Sequence, residues 1–305
     1  MQAGKGQVDK VQVGGIRWVL FYLLLVYLST LLTAACAGPG ATSTPVPTSP
    51  LVAGKRVQFV GHRGAAGLAP ENTLGAFAKG IEAGVDAIEC DVHLSADGAL
   101  IVMHDPNVSR TTDGIGDVPS LTLAELKKLN AAAKFTGGWP TKEPVPTLAE
   151  VLALAQGKVD VQIEIKVPAL GGYPGIERKV AEAVAAADMV EHVLVICFNL
   201  DTLRTIHAAD PRLRTGYLVS ESTVPAQWLV SRSAMLDALK ESGVGFLGSS
   251  AAFLSPELVQ TAHERGLQVG VWTIDTAGDM RRFAAMGVDA ITTNRPDVLR
   301  QTLGK

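Results

Sequence analysis

The sequence predicts an α/β fold, a TIM-type (β/α)8 barrel, on three observations. From Arg56 onward, short apolar runs alternate with Ala- and Leu-rich helical stretches, a pattern typical of a parallel sheet with helices outside it. The alternation repeats at roughly 25 to 40 residues, as eight βα units in about 250 residues require. The chain has 305 residues, which is enough for one such domain together with an N-terminal extension.

Nine apolar runs are candidates for the eight barrel strands. They span residues 57–61, 87–92, 100–104, 161–166, 193–198, 215–219, 244–248, 269–274 and 289–293. The link between the second and third runs is too short for a crossover helix and contains Asp97-Gly98, a hairpin-type turn. We therefore expect the barrel to be slightly irregular near its second and third strands.

Helical stretches separate most of the runs. They span residues 71–84, 122–130, 147–156, 175–188, 199–209, 233–242, 255–265 and 276–286. Several are followed by a glycine, such as Gly84 or Gly287, at the place where a helix commonly ends. Strands and helices together place the folded domain at residues 54–305.

The N-terminal segment, residues 1–36, reads as a signal peptide. Basic residues precede an apolar run over 18–32, which is the order found in a secretory signal. The run ends in Leu-Thr-Ala-Ala-Cys, which resembles the bacterial lipobox, so we expect Cys36 to be lipidated and to become the new N-terminus. The alternatives are cleavage nearby to give a soluble secreted protein, or an uncleaved anchor of about 20 residues.

Residues 37–53 are rich in Pro, Ser and Thr and carry no charge, so they predict a disordered tether. Together with the signal, the tether places the barrel outside the cytoplasmic membrane, attached to its outer face by a lipid anchor. The sequence carries no signal of oligomeric state.

The composition argues against a nucleic-acid partner. The net charge is -3 and aromatic residues make up only 5%, which gives neither a basic field nor a stacking surface. Of the three cysteines, Cys90 and Cys197 lie in strand-like apolar runs and are predicted to be buried core residues. Their spacing fits neither a disulfide framework nor a zinc site.

Polar residues interrupt four of the predicted strands at or near their carboxyl ends, where TIM barrels assemble their active sites. These pairs are His62 and Arg63, Glu89 and Asp91, His104 and Asp105, and Glu164 and Lys166. Charged side chains inside a barrel are unfavourable unless they are paired or bind a metal. Their positions therefore predict a site rather than a core.

Strand alternation brings three carboxylates together. Glu89 and Asp91 are two residues apart and share a face, as do Glu164 and Lys166, while Cys90 and the neighbouring isoleucines face the helices. Three carboxylates in one interior repel each other unless a cation is present. Oxygen ligands alone select a hard ion, so we expect one divalent cation, Ca²⁺ or Mg²⁺.

The remaining polar residues suit a phosphodiester. Arg63 and Lys166 supply positive charge for the non-bridging oxygens, and His62 and His104 supply a proton donor and acceptor for the bridging ones.

The sequence resembles the glycerophosphodiester phosphodiesterase family. The resemblance rests on GHRGAAGLAPENTLGAF (61–77), IECDVHLSADGALIVMHDPNVSRTTDG (88–114), PTLAEVL (146–152), IEIK (163–166), VWTID (271–275) and DAITTNRPD (289–297), and covers residues 56–300. It implies a barrel of the phospholipase C-like phosphodiesterase kind that hydrolyses glycerophosphodiesters to an alcohol and glycerol 3-phosphate. Attack by water and attack by a neighbouring glycerol hydroxyl both stay open.

The resemblance also implies residue roles. The general acid and base would be His62 and His104, the metal ligands Glu89, Asp91 and Glu164, and the phosphate-binding residues Arg63 and Lys166. On the substrate side, Glu71 and Asn72 would fix the first catalytic loop and Trp272 would line the glycerol pocket. Two residues depart from the family pattern, Cys197 for serine and Asn294 for aspartate, and we expect neither to touch the acid, base or metal set.

Two alternatives to this function stay open. A lysophospholipase D would need an apolar groove, for which residues 172–179 and the loop 220–233, with Trp228 and Leu229, are candidates. A non-catalytic glycerophosphodiester-binding lipoprotein would need cations but no proton shuttle. The other histidines, His93, His192, His207 and His263, are expected on loops or helical faces as surface or packing residues.

Overall fold

The fold is given by a computed structural model that describes residues 56–167 and 172–304. The predicted signal peptide, Cys36 and the tether lie outside these residues. In the described part of the chain, no helix combines the length and the apolar character needed to cross a bilayer.

Eight parallel strands form a closed barrel, which confirms the predicted fold class. They are β1 (Gln58–Gly61), β2 (Ala87–Leu94), β4 (Asp160–Ile165), β5 (Val193–Cys197), β6 (Arg214–Val219), β7 (Phe246–Ser250), β8 (Gln268–Trp272) and β9 (Ala290–Thr293). The barrel closes because β1 pairs with β2 on one side and with β9 on the other. All eight carboxyl ends therefore meet at one end of the barrel.

The ninth strand, β3 (Leu100–Val102), accounts for the predicted irregularity. It pairs antiparallel with the end of β2, with His93 opposite Ile101, and it takes no place in the barrel. The hairpin turns at Gly98, whose φ of 78° lies in the left-handed region that glycine adopts readily. Between β3 and β4 the chain passes through a long irregular segment and then a helix over Leu148–Ala155.

Ten helices are described outside the strands. They are α1 (Leu74–Glu82), α2 (Leu123–Leu126), α3 (Leu148–Ala155), α4 (Ile176–Ala186), α5 (Leu200–Ala209), α6 (Ala226–Val230), α7 (Arg232–Glu241), α8 (Pro256–Glu264), α9 (Ala277–Met286) and α10 (Pro296–Leu303). Thr147 and Glu150 form a capping box that starts α3. Two helices were not predicted: α6 is too short to show a helical period, and α10 follows the last strand.

The barrel strands separate two layers of core. Cys90, Ile163 and Ile165 face the helices, as strand alternation predicts, and pack with residues of α3 and α4. Inside the barrel, the Phe246 side chain leaves no room for neighbouring side chains: a Cβ at Gly270 would lie 2.4 Å from its ring, and one at Gly216 2.8 Å. This ring fills the middle of the barrel and leaves a cavity towards the carboxyl ends.

Candidate active site

A cavity of about 160 Å³ opens at the carboxyl ends of the strands. Its lining includes both predicted catalytic histidines, together with Arg63, Glu89 and Lys166. The opposite wall is apolar and is formed by residues such as Phe198 and Trp272. A larger cavity of about 270 Å³ lies at the amino ends of the strands, but none of the predicted site residues lines it.

The three predicted metal ligands meet at the wall of this cavity, which Glu89 and Glu164 line, with Asp91 buried beside them. Oxygen atoms of Glu89, Asp91 and Glu164 all lie within 4.8 Å of one another. They meet because Asp91 and Glu164 are paired in register on β2 and β4, and Glu89 lies two residues earlier on the same face. Lys166 Nζ lies 2.7 Å from Glu164 Oε1 and 2.9 Å from Asp91 Oδ1.

The charges of this cluster favour a cation. Burial, together with the charges of Asp91 and Glu164, raises the pKa of Glu89 well above its usual value. Burial likewise raises the pKa of Glu164 to about 7, although Lys166 opposes the shift. Burial alone would raise the pKa of Asp91 as well, but Lys166, His104 and Arg63 reverse this and hold it below its ordinary range. The positive charges of Arg63 and Lys166 thus do not fully balance the three carboxylates. A hard divalent ion would supply the missing positive charge and fits their oxygen donors.

The loop between β1 and α1 is tied to two of these carboxylates. The backbone N–H of Arg63 donates to Glu89 Oε2 at 2.8 Å, and Asn72 Nδ2 donates to Asp91 Oδ2 at 2.7 Å. Both loop residues have left-handed backbones, with φ of 50° for Arg63 and 55° for Asn72. Such strain in a residue other than glycine persists when surrounding bonds hold it, as these two bonds do.

An ionic network lies behind the loop. Glu71 binds Arg63 Nη1 at 2.7 Å and Arg110 Nη2 at 2.6 Å, and Arg110 also binds Asp105. Glu71 and Asn72 do not line the cavity themselves. Their contacts connect the loop of His62 to the loop that follows His104.

The His62 ring is oriented by a relay of two side chains. Asn294 Oδ1 lies 2.7 Å from His62 Nδ1, and Asn294 Nδ2 donates to Asp275 Oδ2 at 2.7 Å. Because the carboxylate only accepts, the amide must turn its oxygen to the histidine, which places the proton on Nδ1 and the lone pair on Nε2. Our expectation that Asn294 would not touch the acid, base or metal set is therefore wrong.

The His104 ring has a different partner. Its Nδ1 lies 2.6 Å from Asp105 Oδ1, a carboxylate where His62 has an amide. Burial and the nearby Arg63 lower the pKa of His62 to about 4. Burial, together with Lys166 and Arg63, lowers the pKa of His104 below its ordinary value, and Asp91 and Asp105 only partly offset this. The two histidines are thus held in unlike electrostatic surroundings.

His93 is a site residue that sequence reasoning missed. We expected it on a loop or helical face, but it lies in β2 and is buried. Its Nε2 lies 3.1 Å from the His104 carbonyl oxygen, and its Nδ1 lies 2.7 Å from the Tyr173 hydroxyl. Because a carbonyl only accepts, Nε2 carries the proton and the tyrosine donates to Nδ1. Strand parity with Glu89 and Asp91 was the signal for this position.

Trp272 was predicted to line the site, and the structure places it in the wall of the cavity. Its ring packs edge-to-face on Phe198 at 5.7 Å, and its Nε1 has no partner among the described residues.

Cys90 and Cys197 are buried as expected. Cys197 contacts the backbone of Ile165 and Asn199 and lies outside the cavity lining.

A closed parallel barrel with an acidic cluster, two histidines and two cations at its carboxyl ends has the groups required of a phosphoric diester hydrolase. The chain matches the model of the glycerophosphoryl diester phosphodiesterase family over residues 62–298. It therefore belongs to this family and is an enzyme of this class.

Individual relatives agree over most of their length. A glycerophosphodiester phosphodiesterase from Caldanaerobacter subterraneus subsp. tengcongensis is 38% identical over 241 residues, which are 79% of this chain and 95% of that protein. One from Bacillus subtilis is 32% identical over 295 residues, covering 92% of this chain and 96% of the relative.

Solved structures agree as well. A glycerophosphodiester phosphodiesterase from Agrobacterium tumefaciens superposes with a TM-score of 0.68 at 28% identity, covering 81% of this chain and 100% of that one. A phosphodiesterase from Oleispira antarctica, solved in complex with the product sn-glycerol-3-phosphate, has a TM-score of 0.68 at 27% identity, with 81% and 97% covered.

Proposed function

We propose that this protein hydrolyses glycerophosphodiesters to an alcohol and glycerol 3-phosphate, with a divalent cation and with His62 and His104 as base and acid. The observation that carries the proposal is the meeting of Glu89, Asp91 and Glu164 in a cavity lined by both histidines. The product bound in the relative from Oleispira antarctica supports the choice of substrate class.

His62 suits the role of general base. Its pKa of about 4 keeps the ring neutral at neutral pH, and the bond to Asn294 leaves Nε2 as the free acceptor. It can take a proton from the attacking hydroxyl, whether that belongs to water or to the glycerol. The bond to Asn294 raises the pKa of His62 slightly, but burial and the charge of Arg63 outweigh it.

His104 suits the role of general acid. The Asp105 carboxylate accepts from Nδ1 and stabilises the imidazolium, so the ring can carry a second proton on Nε2 and give it to the leaving alcohol. Proton transfer of this kind contributes a factor of about 10² to 10⁴ in rate. The histidines alone therefore cannot account for the hydrolysis of a stable phosphodiester.

The remaining rate acceleration would come from positive charges that stabilise the phosphate in the transition state. Arg63 and Lys166 line the cavity and would hold the non-bridging phosphate oxygens. A divalent ion held by Glu89, Asp91 and Glu164, Ca²⁺ or Mg²⁺, would supply further charge to the same oxygens. It would also take over part of the charge compensation that Lys166 now provides to Asp91 and Glu164.

Free glycerophosphodiesters are supported over acylated ones by the aromatic residues of the candidate acyl-groove segments, although Leu229 is exposed on the surface. Trp228 was a candidate for an acyl groove, but its ring packs edge-to-face on Tyr217 at 5.5 Å and joins the core. Tyr173, in the second candidate segment, is buried against His93. Neither aromatic residue lines the cavity.

We also propose that the enzyme is a lipoprotein, anchored through Cys36 to the outer face of the cell membrane. The support is the signal-like sequence and the lipobox-like cysteine. The described chain enters β1 at the amino end of the barrel, opposite the cavity. A tether joined there would leave the cavity accessible to soluble substrates.

One assay tests the function. The purified full-length protein is incubated with glycerophosphocholine or with lysophosphatidylcholine, each with Ca²⁺, Mg²⁺ or a chelator. We expect metal-dependent release of choline from glycerophosphocholine. Preferred turnover of the lysolipid would favour the lysophospholipase D instead, and binding without turnover would favour a binding lipoprotein.

A further inference from the structure

Two polar side chains stand at the floor of the active-site cavity, which is otherwise apolar there. Gln162 on β4 is 4% exposed and Thr292 on β9 is 9% exposed, and both line the cavity. Around them lie Ile196, Leu218 and Phe246. A buried amide in such surroundings calls for a partner, because buried polar groups are almost always hydrogen-bonded.

Neither side chain has such a partner within residues 56–167 and 172–304. Gln162 is paired in register with Glu89 and lies two residues before Glu164 on the same strand face. It therefore points into the barrel below the carboxylate cluster. Within the described residues, the fully buried side-chain nitrogen and oxygen atoms without a partner are Arg63 Nε and Trp272 Nε1, so the Gln162 amide is open to the cavity and can bond a ligand there.

We propose that Gln162, assisted by Thr292, recognises the terminal hydroxyl of the glycerol moiety and so selects glycerol phosphates over other phosphodiesters. This inference rests on the proposed function. The amide offers both a donor and an acceptor, and a hydroxyl can satisfy either. The apolar residues beside it match the carbon chain of glycerol. The phosphate would remain with Arg63 and Lys166, near the carboxylates at the carboxyl ends of the strands.

Gln162 also borders the cavity at the amino ends of the strands. If its amide served that cavity, or only an ordered water, its loss would not depend on the hydroxyls of the ligand. A residue that merely supports Glu89 would, when changed, weaken every ligand of the site to the same degree. The test therefore compares two ligands that differ by one hydroxyl.

The ligands are glycerol 3-phosphate and its deoxy analogue, 1,2-propanediol 1-phosphate, and their dissociation constants are measured by calorimetry on the full-length protein with Mg²⁺ or Ca²⁺. We expect the wild type to prefer glycerol 3-phosphate by up to about tenfold, the upper end of the effect of one hydrogen bond. Gln162→Leu should reduce this preference to about two- to threefold or less, and Thr292→Val should reduce it partly.

Thermal unfolding separates recognition from structural support. Substrate-free Gln162→Leu should melt at or above the wild-type temperature, because an unpaired amide is replaced by an apolar side chain. Gln268→Leu is the matched control: it makes the same change on β8 at an exposed position outside the active-site cavity, and it should leave the preference unchanged.

An unchanged preference in Gln162→Leu would overturn the inference, as would equal weakening of both ligands with a lower melting temperature. Turnover of glycerophosphocholine by the wild type is measured in parallel. Its absence would contradict the proposed hydrolysis, while the binding preference would still decide the role of Gln162.

Discussion

The partner of His62 can be changed from an amide to a carboxylate without disturbing the rest of the relay. A single Asn294→Asp change would place two carboxylates at the 2.7 Å contact with Asp275. The exchange Asp275→Asn with Asn294→Asp avoids this, because the new amide donates to the new carboxylate. Its oxygen can still accept from the backbone N–H of residue 294, 2.8 Å away in the wild type.

The expected effect is an increase in the pKa of His62. A hydrogen bond to a charged acceptor contributes about 1.5 to 3 kcal/mol, against about 0.5 to 1.5 kcal/mol for a neutral one. The difference of about 1 to 1.5 kcal/mol corresponds to roughly one pKa unit. The pKa of His62 should therefore rise from about 4 towards 5 or slightly above. A higher pKa keeps the base protonated, and inactive, up to a higher pH.

Two measurements check this. Long-range ¹H–¹⁵N spectra of the histidine-labelled protein report the tautomer and pKa of each ring, with His62→Ala giving the assignment. The acidic limb of kcat/KM for glycerophosphocholine should move up by about one unit at saturating metal. Asn294→Ala is the control, which should lower activity without raising the limb. An exchange variant with an unmoved His62 pKa would refute the proposed relay.

The remaining predictions concern the acid, the metal and the anchor. His104→Ala should lower kcat by about 10² to 10⁴ while calorimetry shows unchanged metal affinity, and normal turnover would exclude it as the acid. Glu164→Gln should weaken metal binding and turnover together, so an unaltered metal isotherm would remove it from the ligand set. Cys36→Ala should release active enzyme from the membrane fraction, whereas continued attachment would indicate an uncleaved anchor.

The acidic cluster was predictable because its pattern is local. Alternation along a strand fixes which residues share a face, so Glu89 and Asp91 were placed correctly from their spacing alone. Parallel topology then brought Glu164 beside them. The antiparallel β3 was also foreseen, since its link to β2 is too short for a crossover helix.

Contacts between distant loops were not predictable in this way. His62 and Asn294 are 232 residues apart, and no local period relates them. A coarser signal was available, because Asn294 follows the last strand and therefore belongs to the active-site end. The left-handed backbone of Arg63 had no such signal, since it depends on a bond to Glu89 that exists only in the folded barrel.

That bond and the one from Asn72 to Asp91 join the loop of His62, the proposed base, to two of the proposed metal ligands. The loop that carries His62 is held to the carboxylates by its own backbone and by a buried amide. Bonds from a loop to a carboxylate are strongest when the carboxylate is ionised, and a bound cation favours that form. We therefore expect metal binding to strengthen the bonds from Arg63 to Glu89 and from Asn72 to Asp91, and with them the hold on the loop that carries His62.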